Sequence, residues 1–459
     1  MYRYLFLLLS SHIVLSTSTD LPVCIIGAGA SGLSAAHALE ALGRRTVIFE
    51  AKDTVGGNAQ NYYENNQAFY LGPLLIQNSS HPETMKIVEA VDVPVTTHTP
   101  ESSWIFNWTT GATWPAPVSP QVPPPEFLAE LQRYTEQWQS VYRRFAGRAV
   151  TEDVPDELTV STTEWFAEHK YPLLHAALMP SLIAWGYGDV DELPIFYTLS
   201  IFTPAALTGT RLRVDFHEVF QRWSRQLARS EIRLRSTVER IDRSEEVITL
   251  HYTSPQNTPA QQPCSDVVLA FPPTLSSLAT AGLSLSPAEE AVFSAVRTTN
   301  YFSAAVRLNT PPLSSFQIAT ETPFSSPDLT GQPISVEGQY NTSEISLLYA
   351  VASHAQSVGE VGEVILQTLS RINGNPADNT DNGEEGTTPV TERDIKAFRH
   401  HPDYFPHFGA EALRGGLYDL FNGLQGENRT YFASGLNRVE HVEYVVAAAR
   451  EVVQRYFST

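Results

Sequence analysis

Apolar and polar positions switch period early in the chain. Residues 22–26 form a short unbroken apolar run of strand length. Residues 31–42 are rich in Ala and Leu and stop at Gly43, as a helix does, and residues 46–50 return to an apolar strand. The order predicts one βαβ unit. Residues 51–110 then interleave polar and aromatic side chains with no clear period, and residues 114–125 carry six prolines, which mark a connector.

Beyond the connector, residues 125–148, 162–169 and 173–185 repeat apolar positions at three- and four-residue spacing, which predicts an inserted helical subdomain. Residues 214–227 read as a further helix and residues 232–241 with 246–252 as a strand pair. A polar loop leads to a strongly apolar strand over 266–270, closed by Pro272-Pro273. Alternating or β-branched runs at 300–308 and 345–352 predict strands of a second sheet, whereas the Asn-, Asp-, Glu- and Gly-rich stretch 374–388 predicts an exposed, mobile loop. The chain closes with a strand over 430–433, a turn at Gly435 and a helix over about 440–456. It contains no internal repeat.

At 459 residues and 42% hydrophobic, the chain can bury a large core and is long enough for two or three domains. Its net charge of −20, from 30 basic against 50 acidic residues, argues against nucleic acid and anionic membrane surfaces as partners. At the N-terminus, Arg3 precedes apolar residues at 4–9 and 13–15, and Ser16 and Ser18 follow as small residues. Residues 1–18 therefore read as a cleaved signal peptide, the apolar stretch being shorter than the roughly 20 residues of a spanning helix, so that no stable membrane anchor remains. Sequons at Asn78, Asn107, Asn341 and Asn428 fit the same secreted or secretory-lumen destination. The two cysteines, Cys24 and Cys264, exclude a disulfide scaffold and a cysteine metal cluster; Cys24, inside an apolar strand, reads as a small hydrophobe, and two unpaired thiols are expected.

Candidate chemistry concentrates in Gly27-Ala28-Gly29-Ala30-Ser31-Gly32, between the first strand and the helix. Gly27 allows the tight turn, Gly29 lets backbone amides approach a pyrophosphate, and Gly32 allows close helix-to-strand packing, while the helix N-terminus offers partial positive charge. Glu50, ending the second strand, is placed to accept hydrogen bonds from both ribose hydroxyls and to repel a 2′-phosphate. Those features fit FAD or NAD equally. Directly after come Ala51 and then Gly56-Gly57-Asn58, a double glycine that can lay backbone along a bound dinucleotide.

This arrangement resembles the flavin amine oxidase superfamily, whose members carry a double glycine at this point. The resemblance continues at Val238 with 267–272, and at 415–418, 424–426 and 430–435. It implies FAD as cofactor, a backbone contact to adenine at Val238, and flavin contacts near Gly435 with the last helix pointing its N-terminus at the pyrimidine ring. The implied fold is α/β: a discontinuous Rossmann-like FAD-binding domain from 20–75, 215–275 and 415–459, with an α+β substrate domain inserted as 76–214 and 276–414. The signal peptide, the sequons and the sequence around Gln425-Gly426 and Thr430-Tyr431-Phe432 resemble the fungal branch typified by β-cyclopiazonate dehydrogenase. That branch implies an FAD-dependent oxidoreductase of secondary metabolism acting on an apolar small molecule. The reaction implied is two-electron oxidation or oxidative cyclisation, with hydride transfer to flavin N5 and reoxidation by O2. The alternatives are a redox-neutral double-bond isomerase, an amine or amino-acid oxidase, and a non-catalytic ligand-binding protein on a degenerate flavoprotein fold.

One departure bears on the reaction. Many amine oxidases place a lysine in the substrate-domain sheet, yet the lysines here are Lys52, Lys86, Lys170 and Lys396, none near the strand at 301–308, where Arg307 is the cation. No catalytic residue is fixed by the sequence; His441 and Tyr444, near the start of the last helix, are candidates either for facing the flavin or for capping and packing. His400, His401 and His407, with Pro402 and Pro406 among them, read as a loop rather than a metal site. Trp104, Trp108 and Trp114 read as core rather than cleft.

Overall fold

The first strand, β1 (Val23–Ile26), is buried along its whole length because it is the central strand of a parallel sheet with both faces covered. The computed structural model describes residues 21–97, 100–116, 123–147, 149–151, 153–243, 247–320, 327–379 and 386–458. The expected signal peptide, the middle of the Pro-rich connector, Glu246 and the centre of the expected acidic loop lie outside the described residues. Helix α1 (Ala30–Ala41) returns the chain to β2 (Thr46–Phe49), parallel to β1, as the βαβ pattern requires. Ser230–Arg233 extends the sheet beyond β2; Asp266–Leu269 and then Thr430–Phe432 extend it on the other side. Five strands from three distant stretches of chain thus make one sheet. The C-terminal helix, Val442–Phe457, packs on α1, where Ser31 Oγ donates to the Ala433 carbonyl at 2.6 Å and Ser34 Oγ to that of Val446 at 2.7 Å.

The second sheet has seven strands in the order Ile395–Phe408, Val296–Arg307, Ile345–Ala352, Thr330–Gly338, Ser314–Ile318, Ser102–Phe106 and Thr113–Pro115. Helices Pro125–Val141, Thr162–Glu168, Pro172–Ala184 and Ile195–Ile201 form the helical part, with Trp165, Tyr134, Tyr142 and Phe196 fully buried among them. Among the described residues no helix is long and apolar enough to cross a membrane.

Five local expectations are corrected. The strand pair expected from residue 232 is divided between two sheets: Ser230–Arg233 belongs to the parallel sheet, Arg235 turns the chain through φ 50°, and Thr237–Asp242 opens a three-stranded antiparallel sheet. The expected loop around His400, His401 and His407 is the strand Ile395–Phe408. Its prolines are tolerated because Pro402 and Pro406 fall where the register with Val296–Arg307 shifts, and a bulged residue needs no ladder N–H. The aperiodic stretch after Ala51 contains a hairpin, Asn61–Glu64 with Gln67–Tyr70, turned by Asn65 and Asn66, both at positive φ.

The fourth concerns the cysteines, which are joined rather than unpaired. Cys24 lies in β1, and Cys264 ends the strand Pro259–Cys264, one residue before the strand that pairs with β1; their Cα atoms are 5.8 Å apart and both side chains are fully buried. Sheet topology brings together two residues separated by 240 positions, which no local pattern reveals. Trp114 also departs from expectation, being exposed, while Trp104 and Trp108 pack partly buried against the core.

Candidate cofactor cleft and active site

Beyond the carboxyl ends of the parallel strands lies a cavity of about 530 Å³, within the range of small-molecule and cofactor sites. One wall is the glycine loop. A Cβ on Gly32 would overlap the carbonyl oxygen of Gly27, so α1 can start as close to β1 as it does only with glycine there. Gly57 takes φ 59° and lies against Gly29 so closely that a Cβ on it would stand 3.0 Å from the Gly29 Cα. The double-glycine segment is held to the loop by the Gly56 N–H, which donates to the Ala28 carbonyl at 2.9 Å. A cradle that any side chain would fill is the physical signature of backbone laid along a ligand.

Glu50 closes the second strand with its carboxylate buried. It accepts from the Ala28 N–H and the Lys52 N–H, each at 2.9 Å, and so fixes both the glycine loop and the segment after it. A carboxylate offers about four lone-pair directions, which leaves capacity for ribose hydroxyls.

The cavity is lined by Gly27, Gly29, Ala30, Ser31, Glu50, Ala51, Gly56, Gly57, Asn58, Val238 and Gly435 among the residues expected from sequence. Ala28 and Gly32 stand behind the wall, the first donating to Glu50 and the second spacing the helix. Lys52, Tyr404, Glu440 and His441 line it as well. Lys52 donates to the Gly57 carbonyl, so the one lysine in the cleft belongs to the cofactor side. Lys396 lies in the seven-stranded sheet, where no lysine was expected, but donates to the Arg393 carbonyl and lines neither cavity.

A second, smaller cavity of about 130 Å³ adjoins the first and shares Asn58, Pro73, Tyr404, Glu440, His441 and Val442 with it. Its walls carry the aromatic side chains Trp185, Tyr187, Phe202, Tyr301 and Tyr349, with Arg211 as a cation among them. Tyr301 stacks on Tyr404 with ring centroids 4.8 Å apart, and their hydroxyls are pushed above the usual range by burial. His401 reaches this chamber from the strand Ile395–Phe408, buried, with Nε2 lacking a hydrogen-bond partner among the described residues; burial brings it down to about 4. Among the described residues no three His, Cys, Asp or Glu side chains gather as a metal site.

His441 and Tyr444 part company. His441 occupies the N-cap of the last helix without capping it, lines both cavities, and is held uncharged by burial. Tyr444 lines neither; its hydroxyl donates to the Ser200 carbonyl and its ring lies beneath the Arg438 guanidinium, which is packing. Glu440, which sequence reasoning missed, precedes them. It sits at the junction of the two cavities, Asn58 Nδ2 reaches its Oε1 at 3.4 Å, and burial pushes its carboxyl up to about 7. No motif marks it, and only its place before the last helix could have drawn attention.

The chain belongs to the flavin containing amine oxidoreductase family, whose model matches residues 30–385. It is 25% identical to the β-cyclopiazonate dehydrogenase of Aspergillus flavus, over 89% of this chain and 87% of that one. It is 23% identical to the FAD-dependent oxidoreductase dpchF of Colletotrichum higginsianum, over 91% and 89%. Its fold is similar to that of a CLA-producing fatty acid isomerase from P. acnes, with TM-score 0.78 at 20% identity over 96% of this chain and all of the other. The protein is accordingly an FAD-dependent oxidoreductase.

Glu50→Gln replaces one accepting oxygen by a donor facing a donor N–H. Losing a charge-assisted bond of about 1.5–3 kcal/mol is expected to weaken FAD binding roughly 10- to 100-fold. Equilibrium dialysis of FAD against the apoprotein measures this, and an unchanged affinity would remove Glu50 from the site.

Proposed function

We propose that the protein oxidises an apolar natural-product intermediate by two electrons, with or without ring closure, and passes the electrons to O2. The observation that carries this reading is the aromatic chamber opening onto the cofactor cleft through Tyr404, Glu440 and His441. Bound FAD would supply the hydride acceptor at N5 and the return of electrons to O2. The glycine loop and Glu50 would hold its phosphates and ribose, Val238 its adenine end, and the positive end of the last helix its negative charge.

The rings of Trp185, Tyr187, Tyr301 and Tyr404 would hold a flat apolar substrate and keep water from it. No lysine lines the chamber, which speaks against a mechanism built on one. The fungal relatives named above support work in secondary metabolism.

A secretory destination belongs to the same proposal. It is supported by the buried disulfide, at home in an oxidising compartment, and by the exposure of Asn78, Asn341 and Asn428, Asn107 being half-buried.

Anaerobic mixing of the holoenzyme with a panel of aryl-alkylamines, benzylic alcohols and prenylated indoles is expected to bleach the flavin band at about 450 nm with at least one of them. In air, the product should weigh two hydrogens less and peroxide should form. Unchanged mass with no peroxide would replace oxidation by double-bond isomerisation.

A further inference from the structure

Glu440 is a carboxyl in the wrong place for stability. Among the described residues no cation pairs with it; Asn58 gives one long contact, Gly435 lies against its Oε2, and aromatic rings surround it, and a largely desolvated carboxylate so poorly paired costs free energy. The groups around it do not compensate. From the double-glycine segment it faces Asn58; from the chain after the helix Pro172–Ala184, Tyr187, whose hydroxyl donates to the Glu440 carbonyl at 2.7 Å; from the strand Ile395–Phe408, Tyr404 and His401. His81 and His441 complete the wall, their rings 4.7 Å apart. The histidines are held uncharged by burial and the tyrosines stay protonated. Lys52, Glu50 and Asp403 line the larger cavity, and the Arg211 guanidinium, over the Trp185 ring, lines the smaller one. Two of the histidine nitrogens, His401 Nε2 and His441 Nδ1, are buried with no hydrogen-bond partner among the described residues. His441 lines both cavities and His401 the smaller one, so two histidines with unmet ring nitrogens and an unpaired carboxyl share the walls of the chamber.

We propose that Glu440 is the proton-accepting residue of the active site, and that the substrate carries an O–H or N–H on, or conjugated to, the carbon that is oxidised. Resting on the oxidase reading above, the step balances as follows. The C–H hydrogen and both bonding electrons would leave together as hydride to flavin N5, the X–H bond would break with its proton passing to the Glu440 carboxylate, and a C=X bond, or its conjugated equivalent, would form. When the two electrons return to O2, the proton leaves Glu440, and substrate plus O2 become oxidised product plus H2O2. His401 and His441, uncharged, offer hydrogen bonds that orient the X–H towards Glu440.

Three measurements on holoenzyme test this. The first needs no substrate: the flavin absorbance of wild type, titrated from pH 5 to 9, is expected to shift with a midpoint near 7 that is absent from E440Q and present in E440D, since Lys52 and Asp403 remain in both variants. The same midpoint in E440Q overturns the proposal. The second takes each compound of the panel above that bleaches wild type. E440Q is expected to slow anaerobic bleaching roughly 10²- to 10⁴-fold and to lose the pH limb near 7, with E440D partly restoring both. Rates within threefold of wild type overturn it. The third separates chemistry from folding. Because the folded carboxyl titrates above its ordinary 4.5, its burial costs stability as pH rises from about 4.5 to 7, so E440Q at pH 8 should melt no lower than wild type and keep its FAD. A lower melting temperature with loss of FAD in both variants would make Glu440 structural and overturn the catalytic role. If no compound bleaches any form, the oxidase reading fails, and the substrate-free titration still decides where Glu440 ionises.

Discussion

Gly32→Ala is expected to yield a protein that purifies without its yellow colour. The added methyl would overlap the Gly27 carbonyl oxygen and then meet the Ala270 side chain at 3.2 Å, so α1 must slide away from β1. Neither neighbour can yield, because Gly27 is held by its N–H bond to the Phe49 carbonyl at 2.8 Å and Ala270 by its own to Ile26 at 2.9 Å. Overpacking at such a site costs about 2–4 kcal/mol. The helix start that faces the cofactor moves with it, so FAD affinity should fall by up to roughly a thousandfold, at about 1.4 kcal/mol per tenfold. The ratio of flavin to protein absorbance and a thermal melt read both effects. Gly29→Ala is the control: its methyl would find only ordinary contacts, at 3.6 Å from the Gly57 Cα, so it should fold while losing affinity through approach to the ligand alone.

The second large effect is expected from the cysteines. Replacing both Cys24 and Cys264 by serine removes a crosslink that ties the central strand to the strand leading into its neighbour across 240 positions, and leaves two hydroxyls in fully buried sites. Loss of a disulfide closing so long a loop costs about 2–5 kcal/mol, and each unmet hydroxyl adds to it. The double variant should melt well below wild type, and wild type heated with reductant should follow it. Thiol titration in denaturant should find no free thiol in the untreated protein and two after reduction. Two free thiols in the untreated, folded protein would break this account and weaken the argument for an oxidising compartment.

The two effects differ in how far they could be read in advance. Gly32 is legible because its constraint is local: strand, turn and helix are contiguous, and the close approach follows from the geometry of one βαβ unit. Glu50 and Gly56-Gly57 are legible for the same reason, since they follow in the next strand and turn. The cysteine pair is not legible because its proximity depends on which strands become neighbours, and Cys264 stands at the end of a polar stretch. The strand holding His401 is hidden because Pro402 and Pro406 argue against a regular ladder, and only the partner strand shows that the ladder slips at those points.

A dinucleotide site is legible in the order of residues alone, because a dinucleotide is gripped by backbone and short-range glycine spacing dictates how closely backbone can approach; FAD and the family follow from the resemblance of the blocks beyond it. The disulfide, the aromatic chamber and the place of Glu440 exist only in the folded chain. Each is made by side chains from segments far apart in the chain, and neither their proximity nor the low-dielectric surroundings that push a carboxyl up to about 7 exist until the sheets have formed.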